Sequence, residues 1–140
     1  MLMPSRFILF VAVLFLQLTQ APGAVAAPSE VSLGQITYIS GGVGSDEAAE
    51  MKSMASRYAL GVVSVTKAGS KEQYTADFRI VIKDTAGKTL IDAISEGPFF
   101  FANLPEGQYQ VDASQDGIRK SQRVSVKRRG HLRLVFVWPQ

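Results

Sequence analysis

Residues 74–95, YTADFRIVIKDTAGKTLIDAIS, decide the fold, because they have the pattern of a β-hairpin. The first half alternates apolar and polar side chains, a period typical of a strand with one buried face. Residues 84–88 (DTAGK) then form a turn in which Gly87 is available for a positive φ, and residues 89–95 return as the second strand. The inward face predicted for the first strand carries Tyr74, Ala76, Phe78, Ile80 and Ile82.

Further strands follow this hairpin at short intervals, each set off by a turn signal. Residues 104–107 (LPEG), the pair Asp116-Gly117 and residues 127–130 (KRRG) are the turns. The last predicted strand alternates inward at Leu132, Leu134, Phe136 and Trp138. Parallel α/β folds need crossover helices, and none is evident between these strands. The pattern therefore predicts a mainly β protein, an antiparallel sandwich of six or seven short strands.

One α-helix is predicted ahead of the hairpin, over residues 46–58, with Ser45 or Asp46 as its cap. Strands are expected on either side of it, at residues 31–39 and 60–66. We expect the helix to pack on the sandwich through one apolar stripe. The predicted organisation is a strand-helix-strand extension over residues 27–66 and the sandwich over residues 67–140. The stripe consists of Ala48, Met51, Ala55 and Tyr58.

The first 26 residues have the layout of a cleaved signal peptide. Arg6 provides a positive start, residues 7–18 (FILFVAVLFLQL) form a short apolar helix, and Ala24-Val25-Ala26 has the small-residue spacing of a cleavage site. Twelve residues are too few to span a bilayer, which needs about 20. We expect cleavage near Ala26 and export to the periplasm, or secretion, with membrane contact only before cleavage. The chain contains no cysteine, which excludes a disulfide scaffold, a thiol enzyme and a cysteine-linked lipid anchor.

Three segments resemble the carboxypeptidase regulatory-like domain, a seven-stranded sandwich of the transthyretin type. They are FRIVIKDTAGKTL (78–90), FFFANLPEGQYQVDAS (99–114) and VSVKRRGHLRLVF (124–136). The corner Asn103-Leu104-Pro105-Glu106-Gly107-Gln108-Tyr109 is similar to the family's N-L-P-x-G-x-Y motif. The mature chain is also similar to small exported proteobacterial proteins that carry this domain. The resemblance implies a fold and a non-catalytic role, and it names no ligand.

The C-terminal part of the chain is strongly basic. Residues 117–140 hold seven Lys and Arg and no acid, whereas residues 27–116 hold seven against twelve Asp and Glu. Two interpretations stay open: a basic face for an envelope protein or an anionic polymer, or two solvated surfaces of opposite sign. Export makes nucleic acid an unsuitable partner. The candidate partner-binding residues on this segment are Lys127, Arg128, Arg129, His131 and Arg133.

The run Phe99-Phe100-Phe101 contains the sixth candidate partner-binding residue, Phe100. Three consecutive aromatic residues cannot all enter one sandwich interior, because successive side chains of a strand point to opposite faces. Phe100 either faces solvent as a partner anchor or lies under the helix. We favour the second, since the apolar stripe of the helix needs an apolar surface on which to pack.

No catalytic or cofactor-binding motif is present. His131 is the only histidine, and neither metal-ligand spacing nor a nucleophile motif accompanies it. Residues 41–44 (GGVG) match no phosphate-binding pattern and are interpreted as a turn. The sequence therefore predicts a non-catalytic exported binding or accessory module of the cell envelope, without metal or cofactor. The alternatives are an envelope enzyme or inhibitor with a pocket that the sequence does not reveal, and a self-assembling structural subunit.

Overall fold

The computed structural model describes residues 28–140, so the predicted signal peptide lies outside the described residues. Within this range, ten strands, one α-helix and one 3-10 turn follow each other. Their bounds are β1 (Val31–Leu33), β2 (Ile36–Gly41), α1 (Ser45–Met54), the 3-10 turn (Ala55–Arg57), β3 (Leu60–Ala68), β4 (Lys71–Tyr74), β5 (Arg79–Asp84), β6 (Thr89–Ile94), β7 (Phe99–Asn103), β8 (Gly107–Gln115), β9 (Ile118–Val126) and β10 (Leu132–Pro139).

The strands form two sheets, which confirms the predicted mainly β sandwich. A six-stranded front sheet has the order β1-β2-β7-β3-β10, with β4 beside β3, and a four-stranded back sheet has the order β6-β5-β8-β9. Strands β1, β2 and β3 of the predicted extension are thus built into the front sheet. One pair departs from the antiparallel expectation, because β10 runs parallel to β3. The KRRG turn closes no hairpin, since it carries the chain from the back sheet to the front sheet.

Two of the predicted strands are each divided in two, and the described residues form ten strands in all. The chain turns at Gly34, so residues 31–39 form the β1–β2 hairpin. The second break lies at Asp77, whose φ of 60° is incompatible with a continuous strand. As a result Tyr74 belongs to β4, pairs with Val65 of the front sheet and is half-exposed, contrary to the predicted inward face.

The main core fills the space between the sheets. Phe78, Ile80 and Ile82 are fully buried there, as predicted for the first hairpin. Trp138 of β10 donates a hydrogen bond from Nε1 to Ser64 Oγ of β3 at 2.8 Å, so the one buried indole N–H is satisfied. At the predicted corner, Leu104 is buried and the Tyr109 hydroxyl donates to the Pro105 carbonyl at 2.5 Å.

A second, smaller core lies between the outer face of the front sheet and α1. Met51 of the helix is fully buried there and packs with Phe99 and Phe101. Phe100 points the opposite way, is fully buried in the main core, and stacks on Tyr38 with ring centroids 5.1 Å apart. The expectation that Phe100 lies under the helix is therefore wrong, and so is its candidacy as a partner-binding residue. Side chains alternate along a strand, so the outer pair of the run meets the helix and the middle one meets the sandwich.

The helix itself is shorter than predicted and starts differently. It ends at Met54, and the 3-10 turn leads to Tyr58. Gly44 is the N-cap and no side chain caps the helix, so the assignment of Ser45 or Asp46 is wrong. Instead Glu47 Oε1 accepts a hydrogen bond from Gly42 N at 2.8 Å. This bond ties the glycine loop back to the first turn of the helix.

Candidate functional site

The predicted basic residues lie together along one side of the sandwich. Strand β9 is the last strand of the back sheet and β10 the last strand of the front sheet. The turn that joins them carries Lys127, Arg128 and Arg129, all exposed, and His131 and Arg133 follow it. We call β9, residues 127–131 and β10 the basic edge. The structure thus unites five of the six candidate residues and leaves out only Phe100.

The outward side of β10 presents backbone groups that no strand within residues 28–140 pairs with. Leu132 N donates to Ala59 O at 2.8 Å, on the side of β3. Backbone groups alternate in direction along a strand, so Arg133, Val135 and Val137 direct theirs outward. The ammonium of Lys120 crosses from β9, donates to the Val137 carbonyl, and lies 5.7 Å from the Trp138 ring centroid. A lysine at an open strand is a common protection against unwanted pairing.

The charge of the basic edge is almost uncompensated. Among residues 28–140, only Arg119 of this edge forms a salt bridge, to Asp112 at 2.5 Å. The six other Lys and Arg make none within the same range. The charge of this segment is visible in the sequence, whereas its position beside an open strand is visible only in the structure.

His131 is held in place rather than free. Its Nδ1 lies 2.7 Å from the Tyr58 carbonyl oxygen, which only accepts, so Nδ1 carries the proton. The ring meets Phe101 edge-on, with centroids 6.2 Å apart. The Tyr58 hydroxyl donates to Glu30 Oε2 at 2.5 Å. Burial, aided by this hydrogen bond and by the charge of Glu30, raises the pKa of Tyr58 to about 12, so its hydroxyl keeps its proton.

A hollow of about 180 Å³ opens beside the basic edge, on the outer face of the front sheet between α1 and β10. We call it the aromatic hollow. This hollow was not predicted, because its two phenylalanines, Phe99 and Phe101, meet the cations only through strand pairing and the packing of α1. The alternation within the Phe99–Phe101 run was the one available signal. Its lining residues are Lys52, Ala55, Val63, Tyr74, Phe99, Phe101, His131 and Arg133.

A polar network occupies the outer face of the back sheet, around the buried carboxylate of Asp112. This carboxylate accepts hydrogen bonds from Ser121 at 2.5 Å, Gln110 at 2.9 Å and Arg119 at 2.5 Å. Burial alone would raise the pKa of Asp112, but the three hydrogen bonds and the Arg119 charge outweigh it and lower that pKa. All three donors serve the ionised carboxylate, so its role is structural.

The lowered pKa of Asp112 predicts a loss of stability in acid. A depressed folded-state pKa stabilises the fold above the unfolded value of about 3.9 and ceases to do so as pH falls through the folded value. We expect the free energy of unfolding of the wild type to exceed that of Asp112→Asn at pH 6. This difference should shrink steadily below about pH 4. Urea denaturation between pH 6 and pH 2 measures it, and a difference that is independent of pH would contradict the assignment.

The described residues contain neither a metal-binding cluster nor a membrane-spanning helix. Between residues 28 and 140, no three His, Asp or Glu side chains gather closely enough to hold a metal ion. The single α-helix of this range is too short and too polar to cross a membrane.

Comparisons with known proteins show neither a family nor a function for this chain. No family model matches it, and no curated protein matches it. Among solved structures, it is similar to GBS52, the minor pilin of the Gram-positive pathogen Streptococcus agalactiae, with 13% sequence identity and a TM-score of 0.48. The match covers 58% of this chain and 43% of the pilin chain. At that level the likeness carries no argument about function, and the resemblance to the carboxypeptidase regulatory-like domain stays a prediction.

Proposed function

We propose that the protein is a non-catalytic, exported module that binds a partner in the bacterial cell envelope through its basic edge. The observation that carries the proposal is the open side of β10, which borders six Lys and Arg without salt bridges among residues 28–140. The proposal keeps the predicted signal peptide, cleavage near Ala26, and a periplasmic or secreted location.

The binding mode that this geometry supports is strand addition beside β10. An extended segment of an envelope protein would pair with the outward backbone groups of Arg133, Val135 and Val137. Acidic side chains on that segment would meet the cations of the edge, which favours rapid and selective encounter. Lys120 would have to leave the Val137 carbonyl, so this lysine regulates access to the strand. An anionic polymer would instead contact side chains alone.

The charge contribution is tested with Arg128→Ser/Arg129→Ser in a pull-down from envelope extract at low and high salt. Losing two exposed cations should reduce partner capture roughly five- to tenfold at low salt, with less effect at high salt, because exposed charges are screened. Lys71→Ser/Lys88→Ser is the matched control, since both lysines are exposed and lie away from the basic edge. Equal capture by the two double variants would contradict a role for the edge charge.

Lys120→Met distinguishes strand addition from polymer binding. The variant keeps an apolar stem over Trp138 but frees the Val137 carbonyl. Strand addition predicts stronger capture of a protein partner, whereas binding of a polyanion predicts weaker capture, since one cation is lost. Weaker capture would therefore overturn strand addition and leave the anionic polymer as the ligand.

Self-assembly is a second candidate, favoured by the opposite edge of the front sheet. There β1 exposes Val31 by 38% and Leu33 by 47%, an apolar edge to which β10 of a second copy could add head to tail. Sedimentation of the same purified variants at several concentrations decides this. Concentration-dependent growth that Lys120→Met enhances would assign the open strand to self-assembly, and a monomer at every concentration would exclude it.

A further inference from the structure

We propose that the aromatic hollow binds a small organic anion with a flat apolar body, the chemistry of an arylalkyl carboxylate. The hollow lies on the outer face of the front sheet and not along the open backbone of β10. The proposal therefore concerns a second site, which shares His131 and Arg133 with the basic edge but does not use the open backbone of β10.

The floor of the hollow is apolar, and neighbouring strands of the front sheet form it. Phe101, Gly61 and Arg133 are direct cross-strand neighbours in β7, β3 and β10, and Phe99 and Val63 form the next row. Gly61 has no side chain, which leaves room for the His131 imidazole above the sheet. A Cβ atom at Gly61 would lie 2.7 Å from His131 Cε1, so the imidazole fills this space and forms one wall of the hollow.

The rim of the hollow is cationic. Lys52 and Arg133 supply the charge, and none of the lining residues within 28–140 is a carboxylate. Among residues 28–140 neither Lys52 nor Arg133 forms a salt bridge. The Lys52 ammonium lies 5.2 Å from the Tyr74 ring centroid and 5.9 Å from that of Phe99, which holds it above the floor. His131 Nδ1 is bonded to Tyr58, and its Nε2 edge is turned towards Gly61.

Size and chemistry together define the ligand class. A dry cavity of about 150 Å³ admits benzene, so a hollow of this volume takes a phenyl ring and a short arm. The ring would pack against Phe99 and Phe101 in offset or edge-on geometry. The carboxylate would accept charge-assisted hydrogen bonds from Arg133 and Lys52 at the rim. A longer apolar tail has room in the neighbouring hollow of about 500 Å³, which shares Lys52 and Tyr74 and is lined mainly by small apolar residues.

The test is an NMR titration of the purified protein with 3-phenylpropionate. We expect saturable shifts of the backbone amides of Lys52, Gly61 and Arg133. The uncharged 3-phenylpropanamide should bind at least about tenfold more weakly, because it lacks the anion. Inorganic phosphate, an anion without an apolar body, should give no saturable shift at these amides. Equal binding of acid and amide, or no saturation at these positions, would overturn the proposal.

Two variants attribute the binding to the rim. Lys52→Gln and Arg133→Gln should each weaken 3-phenylpropionate about tenfold, whereas Lys71→Gln, an exposed lysine outside the hollow, should leave it unchanged. Lys52 is not part of the basic edge, so its effect separates this site from partner binding. Lys120→Met should not alter the titration. If Lys52→Gln and Lys71→Gln bind the ligand equally, the hollow is not an anion site.

Discussion

Gly97→Ala is expected to destabilise the protein by about 3 kcal/mol or more, although it adds a single methyl group. Gly97 lies where the chain crosses from β6 of the back sheet to β7 of the front sheet. A Cβ atom there would lie 2.1 Å from the carbonyl carbon and oxygen of Gly41 in β2. Both atoms belong to the backbone of a paired strand, so no side-chain rotation relieves the clash.

Hydrogen bonds hold the segment that joins β6 to β7, so Gly97 has little freedom to move away from Gly41. Ser95 is fully buried and donates from Oγ to the Gly97 carbonyl at 2.7 Å. Ser64 N donates to the Pro98 carbonyl at 2.9 Å, which ties the same segment to β3. Relief of the clash therefore breaks hydrogen bonds in two strands.

The measurement is urea denaturation followed by the fluorescence of Trp138, the one tryptophan, which is buried. Gly107→Ala is the control, since a Cβ atom there makes only ordinary contacts at 3.7 Å or more. We expect the midpoint of Gly107→Ala to stay close to that of the wild type. A Gly97→Ala protein as stable as this control would show that the two strands separate readily.

Phe100→Ala is expected to cost about 3–5 kcal/mol, the range for removal of a buried phenyl ring. Phe100 is fully buried, stacks on Tyr38, and lies opposite the equally buried Val62 of β3. The ring sits between two sheets that are each held by several strand pairs, so the cavity cannot collapse fully. Such a loss is a large share of the about 5–15 kcal/mol by which domains are stable.

Phe100→Leu is the matched control and should lose clearly less, because it keeps much of the apolar volume. The same urea titration reports both variants. The experiment also tests the burial of Phe100 in the main core. A solvent-facing anchor would lose partner binding on truncation while its unfolding midpoint stayed unchanged, and that result would contradict the packing described above.

Local turn chemistry made much of the fold predictable from sequence. The Asp84 carboxylate accepts from Ala86 N at 3.0 Å and Lys88 N at 2.9 Å, which is the turn that DTAGK predicts. Asp116-Gly117 likewise joins β8 to β9, with positive φ at both residues. These features depend on neighbours within a few positions, so the sequence contains the information directly.

Features that depend on distant partners were not predictable in this way. The alternation from Tyr74 to Ile82 gives no sign that Tyr74 pairs with Val65 in the other sheet. Which core each phenylalanine of the run enters depends on where α1 packs, and the apolar stripe of the helix does not specify that position. The direction of β10 follows from a crossing between sheets, and turn residues are the same for a crossing and a hairpin.

The two candidate sites also differ in how far they could be predicted from the sequence. The basic residues were visible as composition, and only the pairing order shows that they border an open strand. The aromatic hollow needs Lys52 from the helix, Phe99 from β7 and Arg133 from β10, which are far apart in sequence. No spacing pattern connects such residues.

The parallel pairing of β3 with β10 has a consequence for the order of folding. Ser64 and Trp138, which bond across these strands, are 74 residues apart in the chain. Closing so long a loop is entropically costly and slows folding, because the loop must close before its contacts repay the cost. We therefore expect β10 to join the front sheet late in folding. Until it does, one side of β3 has no partner strand. While that side of β3 is unpaired, its backbone groups are open to pairing with another strand.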